Sequence, residues 1–144
     1  MKGDRLYYKA LKEASEEHWE KAFSLLKKAA AMNNPKAIYA LATWYLHGHY
    51  VKKDWKKGTE LLQKAAEQNL PDALYDLAIS YEKGLGINKD EQKAFHCYLK
   101  AALRGDAQSV YEVGRCYYYG IGTERDRKLA EIWLERAEEL GVTD

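Results

Sequence analysis

Apolar and polar positions along this chain follow the spacing of amphipathic helices. Between residues 71 and 84 the apolar residues fall on one face of a helix, at Ala73, Leu74, Leu77, Ala78 and Tyr81. A glycine-containing turn follows, and a second helical face then appears at Ala94, Cys97, Tyr98, Ala101 and Ala102. The segment therefore predicts two helices joined by a tight turn.

The same helical pair recurs every 36 residues. This spacing relates three tyrosines, three glycines and three aspartates in turn: Tyr45, Tyr81, Tyr117; Gly48, Gly84, Gly120; and Asp54, Asp90, Asp126. Self-similarity at such a period is the signature of a repeat array. It predicts complete repeats at 35–70, 71–106 and 107–142, preceded by a degenerate repeat at about 4–34, within a single domain spanning 1–144.

Residues that start and stop helices support this division. Each aspartate of the repeat is placed to accept hydrogen bonds from the free N–H groups that open the second helix. In the first repeat, Ser15 is the predicted cap. Asn69 and Gly141 are predicted to end second helices. Tyr50 replaces a loop glycine found in the other repeats, so this loop is expected to bend differently or to hold Tyr50 at an unusual φ.

The repeated motif resembles the Sel-one-like repeat, a relative of the tetratricopeptide repeat. The best copy runs from Ala73 through Leu77-Ala78, Tyr81, Gly84-Leu85-Gly86-Ile87, Asp90, Lys93-Ala94 and Lys100-Ala101-Ala102 to Gly105. The resemblance covers residues 17–142. It implies an all-α fold, a right-handed α/α superhelical solenoid of four helical hairpins with eight helices. It also implies an adaptor or scaffold role in protein assemblies, and some family members neutralise partner toxins.

Composition argues against several function classes. The net charge is +1, from 23 basic and 22 acidic residues, which is unlike the one-sided basic balance of nucleic-acid-binding proteins. No apolar run approaches the ~18 residues of a membrane span. The two cysteines lack C-x-x-C spacing. We therefore expect no nucleic-acid or membrane partner, reduced thiols and a cytoplasmic location in a bacterial type of cell.

Candidate catalytic and metal-binding groups are few. His47 and His49 could offer two ligands, but a zinc site usually takes at least three from the protein. Cys97 occupies a core position, and Cys116 is expected to be more exposed but has no activating partner. The glutamates near the C-terminus are interpreted as a solvated helix surface. The sequence therefore predicts no enzyme activity, no cofactor and no metal.

The candidate binding surface is a row of side chains on the first helix of each repeat, on the face opposite its core-facing residues. In a stack of hairpins these helices line the concave side, and Tyr and Arg are common in interface hot spots. An alternative is that the tyrosines only pack their rings against adjacent helices. The predicted partner-binding residues are Tyr39, Thr43, Trp44, His47, Tyr75, Ile79, Lys83, Tyr111, Arg115, Tyr118 and Tyr119.

The function predicted from these observations is non-catalytic binding of a partner protein or peptide in the concave groove. One alternative is an immunity or antitoxin-type protein that neutralises an effector. Another is a self-assembling structural scaffold, in which weak self-association uses the C-terminal helix around Leu129, Trp133 and Leu140. The sequence does not distinguish these three possibilities.

Overall fold

A computed structural model describes residues 1–142 of the chain. This part of the chain contains eight α-helices and no strand. The helices are grouped into two compact units, unit 1 from Met1 to Leu70 and unit 2 beginning at Pro71.

Unit 1 contains four helices. They are α1 (Asp4–Ser15), α2 (Trp19–Ala31), α3 (Pro35–His47) and α4 (Trp55–Glu67). The core of this unit includes Ala10, Leu26, Ala29, Ala37 and Leu41, which are all buried. The first repeat is therefore a complete helical pair in the structure, although its first half departs from the repeat pattern.

Unit 2 repeats the arrangement with α5 (Pro71–Lys83), α6 (Glu91–Leu103), α7 (Ala107–Tyr119) and α8 (Arg127–Glu139). Its core is larger and more aromatic, with Phe95, Tyr98, Val113 and Cys116 buried together. Small residues occur where paired helices approach closely. A methyl group added at Gly114, for example, would lie 2.8 Å from the Leu134 side chain, so α7 can approach α8 only because this position lacks a side chain.

The predicted aspartate caps are confirmed. Asp54, Asp90 and Asp126 each accept a hydrogen bond from the backbone N–H three residues later, at 3.0, 3.1 and 3.0 Å. The backbone N–H of each aspartate donates to the carbonyl of the tyrosine nine residues earlier, at 2.8 Å in all three repeats. These two bonds close the loop at both ends, which explains why the tyrosine and the aspartate recur together.

Two predictions, one about the first repeat and one about the loop of the second repeat, have different outcomes. Ser15 is not a helix cap, because it ends α1 and its hydroxyl donates to the Lys12 carbonyl at 2.6 Å. α2 instead begins after His18, which makes no side-chain capping bond. Of the two alternatives for the loop with Tyr50, the structure shows the second, since Tyr50 has the unusual φ of 62°. The equivalent positions Gly86 and Gly122 have φ of 71° and 68°, so Tyr50 keeps the loop geometry of a glycine.

Candidate functional site

The predicted site residues of unit 1 lie on α3 in different environments. His47 is exposed, whereas Tyr39 and Thr43 are half-buried. The Thr43 hydroxyl donates to the Ala40 carbonyl of its own helix at 2.7 Å. Of the unit 1 residues, His47 therefore has the most side-chain surface available to a partner.

Trp44 belongs to an aromatic cluster formed by α2, α3 and the loop after α3. Its ring stacks on Phe23 at 5.8 Å between centroids and meets the edges of Trp19, His49 and Tyr50 at 6.3, 4.9 and 6.0 Å. Aromatic pairs at these distances stabilise the fold beyond their buried area. Trp44 thus has a packing role that the sequence did not distinguish from a binding role.

In unit 2, the predicted residues of α5 also differ in how far they are exposed. The Tyr75 ring packs against Tyr98 at 6.0 Å between centroids, and Ile79 packs against the core. Lys83, one turn further along, is exposed. Tyr75 and Ile79 are therefore partly used by the core, as the alternative interpretation of the tyrosine row anticipates.

The predicted residues of α7 lie together along one cleft. Tyr111, Arg115, Tyr118 and Tyr119 form one wall, and the cleft has a volume of about 420 Å³. The Tyr118 and Tyr119 rings meet edge to face with their centroids 4.8 Å apart. Tyr119 is 67% exposed, a high value for so large an aromatic side chain. The other three residues of this group are half-buried, and Tyr111 also packs against the unit 2 core.

A charged network holds Arg115 in place. Its Nη2 atom donates to Glu82 Oε1 and its Nε atom to Glu112 Oε2, each at 2.7 Å. The Tyr98 hydroxyl donates to the same Glu82 oxygen at 3.0 Å. Burial would raise the pKa of Glu82, but the bonds from Arg115 and Tyr98 outweigh it, so this pKa lies below its usual value. The network fixes the guanidinium at the cleft wall and balances its charge.

The opposite wall of the cleft comes from α8 and was not predicted. It consists of Glu131, Leu134, Glu135 and Glu138, with Val142 at one end. The three glutamates were interpreted as a solvated surface because they lie among other charges. The signal that could have identified them is the repeat itself: 36 residues earlier, Glu131 and Glu138 correspond to Phe95 and Ala102.

The candidate reactive groups have unreactive environments. Cys116 is buried, contrary to the expectation that it is more exposed. It lies on the face of α7 that packs into the unit 2 core. Burial raises the pKa of Cys97 to about 11 and that of Cys116 to about 12. Both thiols are therefore protonated at neutral pH, and a protonated thiol is a poor nucleophile.

Two histidines of unit 1 make local contacts. The His49 ring lies 4.6 Å from the Trp19 ring, and His18 Nδ1 lies 2.7 Å from Glu13 Oε2. Glu13, Glu16 and His18 are close enough together to share a metal ion. They are exposed or half-buried at the junction of α1 and α2, and exposed acidic groups of this kind are common without a metal.

A second cleft, of about 580 Å³, lies in unit 1 between α2, α3 and α4. Its rim carries Lys27, Lys57 and Lys64, and its floor includes Ile38 and Leu41. None of the predicted site residues lines it. Among the residues described, no helix combines the length and the apolar character needed to cross a membrane.

Comparison with known proteins identifies the repeats. A family model described as the Sel1 repeat matches residues 20–34, 35–70, 71–106 and 107–142. The sequence was also compared with curated proteins, and no match was found.

Solved structures of similar proteins have the same fold. A Sel1 repeat protein from Oxalobacter formigenes is 32% identical, with a TM-score of 0.85 over 92% of this chain and 55% of its own. A protective antigen of uropathogenic Escherichia coli with an SLR fold is 29% identical, with a TM-score of 0.82 over 84% of this chain and 26% of its own. Helicobacter pylori cysteine rich protein B is 31% identical, with a TM-score of 0.61 over 62% of this chain and 68% of its own. This chain thus spans about half of the first of these proteins and a quarter of the second.

Proposed function

Because the chain belongs to the Sel1 repeat family and has its all-α repeat solenoid fold, we propose that it is a non-catalytic module that binds a partner protein through the first helices of its repeats. Sel1 repeat proteins are generally protein-interaction modules. The finer proposal is that the partner contacts the predicted row of residues, of which His47, Lys83 and Tyr119 are the most exposed.

The observation that carries this proposal is the exposed Tyr119 at the end of α7, beside the half-buried Tyr118. Tyr119 leaves two thirds of its surface accessible, at 67%, next to Tyr118 and a cleft of about 420 Å³. A tyrosine gives large contact area for little loss of side-chain entropy, which is why it is enriched at binding hot spots. The unreactive thiols support the non-catalytic part of the proposal, since neither offers an activated nucleophile.

Site-specific crosslinking tests the location of the binding surface. A photoreactive p-benzoylphenylalanine is placed at Lys83 or Tyr119, and the protein is irradiated in cells of its natural source. We expect a covalent adduct with the same partner from both positions. Tyr119→Ala should then weaken binding of the identified partner about tenfold or more, as loss of a hot-spot tyrosine does, in calorimetry with the purified proteins.

Matched control positions lie on the second helices. Leu103 on α6 and Ile132 on α8 are as exposed as Tyr119, at 73% and 61%. The photoreactive residue at these positions should give no adduct with that partner. Adducts from Leu103 and Ile132 but not from Lys83 and Tyr119 would place the binding surface on the second helices and refute the proposal. Circular dichroism checks that each variant keeps its helices.

Self-association is a second candidate function because α8 and the residue that follows it expose several apolar side chains. Leu129, Ile132 and Leu140 are 37, 61 and 42% exposed, whereas Trp133, expected on the same face, packs against the unit 2 core. Sedimentation velocity over a concentration series tests this role. A dimer that is lost in Ile132→Lys would support it, and a monomer at every concentration would remove it.

Two narrower predictions concern the kind of partner and its place in the cell. Neutralisation of a toxic effector is one form of partner binding, and the crosslinked partner's identity tests it directly. A cytoplasmic location also stays a prediction, and fractionation of the source cells followed by immunoblotting tests it.

A further inference from the structure

In unit 2, helix α7 packs against the preceding helical pair, α5 and α6. The Tyr117 ring meets the Phe95 ring at 5.3 Å, and Arg115 bonds Glu82 on α5. The receiving face of α6 consists of Phe95, Tyr98 and Ala102, which are buried to 6, 1 and 8% exposure, and of the half-buried Leu99. In this repeat, therefore, an apolar face of the second helix is covered by the next helix.

The equivalent face of α8 has a different chemistry. Shifted by 36 residues, Phe95, Leu99 and Ala102 become glutamates, and only the position of Tyr98 stays apolar, as Leu134. The glutamates are exposed, and no helix among the described residues covers them. A second apolar repeat helix placed here would bury three carboxylates without partners, which is strongly unfavourable. The face thus has the shape of a helix-receiving groove and selects against an apolar helix.

The carboxylates of this groove are available for binding. Glu131, Glu135 and Glu138 are spaced at i, i+4 and i+7, so they form one row along α8. None of them forms an ion pair within the described residues, where Arg136 pairs with Glu139 and Arg115 with Glu82 and Glu112. Arg127, at the start of α8, is not paired with a glutamate of the row either, because its guanidinium lies 4.0 Å from the centroid of the Tyr118 ring.

The tyrosines of α7, in the other wall of the cleft, favour a positively charged ligand. Tyrosine faces attract cations, and the stacking of Arg127 on Tyr118 shows this interaction within the chain. The apolar stem of a lysine or arginine can lie along Tyr111 and Tyr119 while its charged end reaches a carboxylate. Rows of opposite charge across an interface also fix the register of the partner.

From this charge complementarity, and from the seating of α7 in the preceding repeat, we infer that the α7–α8 cleft receives a basic helix of a partner protein, with lysines or arginines at i, i+4 and i+7 facing the glutamate row. This inference rests on the proposed function, because it specifies the chemistry of the partner at one end of the predicted surface. The self-association surface of α8 is distinct, since Leu129 lies on the opposite side of the helix from the glutamates and Ile132 lies on its flank, about 100° around the axis from Glu131.

Three synthetic peptides test the inference. The first is an alanine-based helical peptide of about 20 residues with lysines at i, i+4 and i+7. The second has the same composition with the lysines distributed around the helix, and the third has glutamine in place of lysine. In two-dimensional ¹⁵N–¹H spectra of the full chain, we expect the first peptide to shift signals of Tyr111, Tyr118, Tyr119 and α8. The second should bind more weakly, and the third should cause no shift.

A variant pair separates the cleft from general electrostatics. The cleft variant carries Glu131→Gln, Glu135→Gln and Glu138→Gln. The control variant removes the same charge from exposed sites of unit 1, with Glu20→Gln, Glu60→Gln and Glu67→Gln. The first peptide should bind the cleft variant about tenfold more weakly, as expected for loss of several exposed ion pairs, and should bind the control variant as it binds the original protein.

Several results would overturn the inference. These are equal binding of the two lysine peptides, equal loss of binding in both variants, or a dimer in sedimentation whose interface includes the cleft. The proposed function is judged separately by crosslinking at Lys83 and Tyr119. If a partner crosslinks there while the lysine peptide fails to bind, the protein is a binding module and the basic-helix inference alone is wrong.

Discussion

At the scale of single residues, the loop after α7 depends on a glycine that no larger residue can replace. Gly122 has a φ of 68°, and a methyl group added to it would overlap the Glu91 carbonyl at the start of α6. At the equivalent place in unit 1, Tyr50 adopts a φ of 62°, and its ring packs against Phe23 at 5.4 Å. The backbone conformation is therefore common to these loops, whereas the space beside it differs.

Gly122→Ala should destabilise unit 2 strongly. The left-handed backbone costs an alanine about 1 kcal/mol, and displacing the Glu91 carbonyl adds a further ~1–3 kcal/mol, as overpacking does. Gly84→Ala is the matched control, because Gly84 has a φ of 70° and an added methyl group makes only ordinary contacts, at 3.4 Å or more. Urea unfolding followed by circular dichroism measures both. Equal losses of stability would show that the contact with Glu91 is relieved at no cost.

Arg115→Met should destabilise the protein at neutral pH and flatten its response to acid. Because the folded-state pKa of Glu82 is lowered, its stabilising contribution is complete above its ordinary value of 4.5 and is lost as the pH falls through the lower, folded-state pKa. Without Arg115 that lowering disappears, so the difference between variant and original should narrow in acid. Urea unfolding at neutral pH and at several values below 4.5 measures the difference.

Arg136→Met is the control for this pH effect. Arg136 pairs with Glu139 at 3.0 Å, but both side chains are more than 60% exposed. An exposed pair contributes at most about 1 kcal/mol. We therefore expect a small loss of stability that changes little with pH. A constant difference between Arg115→Met and the original protein at all pH values would contradict the assignment of Arg115 as the cause of the lowered Glu82 pKa.

At the scale of single elements, α4, α6 and α8 all begin with an aspartate cap. Each helix has 13 residues, a length at which an isolated helix is marginal in water. The cap satisfies N–H groups that would otherwise lack partners at the start of the helix. These helices therefore owe their starting points to local chemistry and their stability to packing against the paired helix.

Asp90→Ala should cost about 1 kcal/mol, the usual effect of removing a side-chain cap. Asp90→Asn is the matched control, because an asparagine side chain can accept the same bond from the Lys93 N–H. Thermal unfolding compared among the three proteins measures the effect. If the asparagine variant loses as much stability as the alanine variant, the negative charge at the helix start matters more than the hydrogen bond.

At the scale of the whole molecule, two compact units each have their own core. In repeat proteins stability is approximately a sum of repeat and nearest-neighbour contributions, so destabilisation need not spread evenly along the chain. The tyrosines, glycines and aspartates of the repeat are shared by both units, but the aromatic cluster around Trp44 belongs to unit 1 and the Glu82–Arg115 network to unit 2.

Gly122→Ala should therefore affect the two units unequally. We expect amide hydrogen exchange to accelerate more in α5–α8 than in α1–α4, because local opening reflects the stability of the surrounding unit. Exchange measured by mass spectrometry on peptic fragments resolves the two units. An equal acceleration throughout the chain would show that the molecule opens as one cooperative body, and the prediction would be wrong.

The sequence by itself determined the helical repeats, their loops and the aspartate caps. These features depend on short-range signals, namely helical periodicity and the hydrogen bonds of residues close in the chain. The unusual φ of Tyr50 was one of two alternatives from the sequence, because its position is aligned with Gly86 and Gly122, and the structure decided between them. Ser15 was assigned wrongly as a cap because the position aligned with the aspartates is His18, which makes no side-chain capping bond.

Only the tertiary structure decided which side chains of the predicted surface are accessible and what lies opposite them. Burial of Cys116, the packing of Trp44 against Phe23, and the bond from Arg115 to Glu82 all join separate helices. Such contacts depend on how helices cross, which helical periodicity does not encode. For the same reason the glutamate row of α8 was interpreted as solvated surface, until the fold placed it across a cleft from the tyrosines of α7.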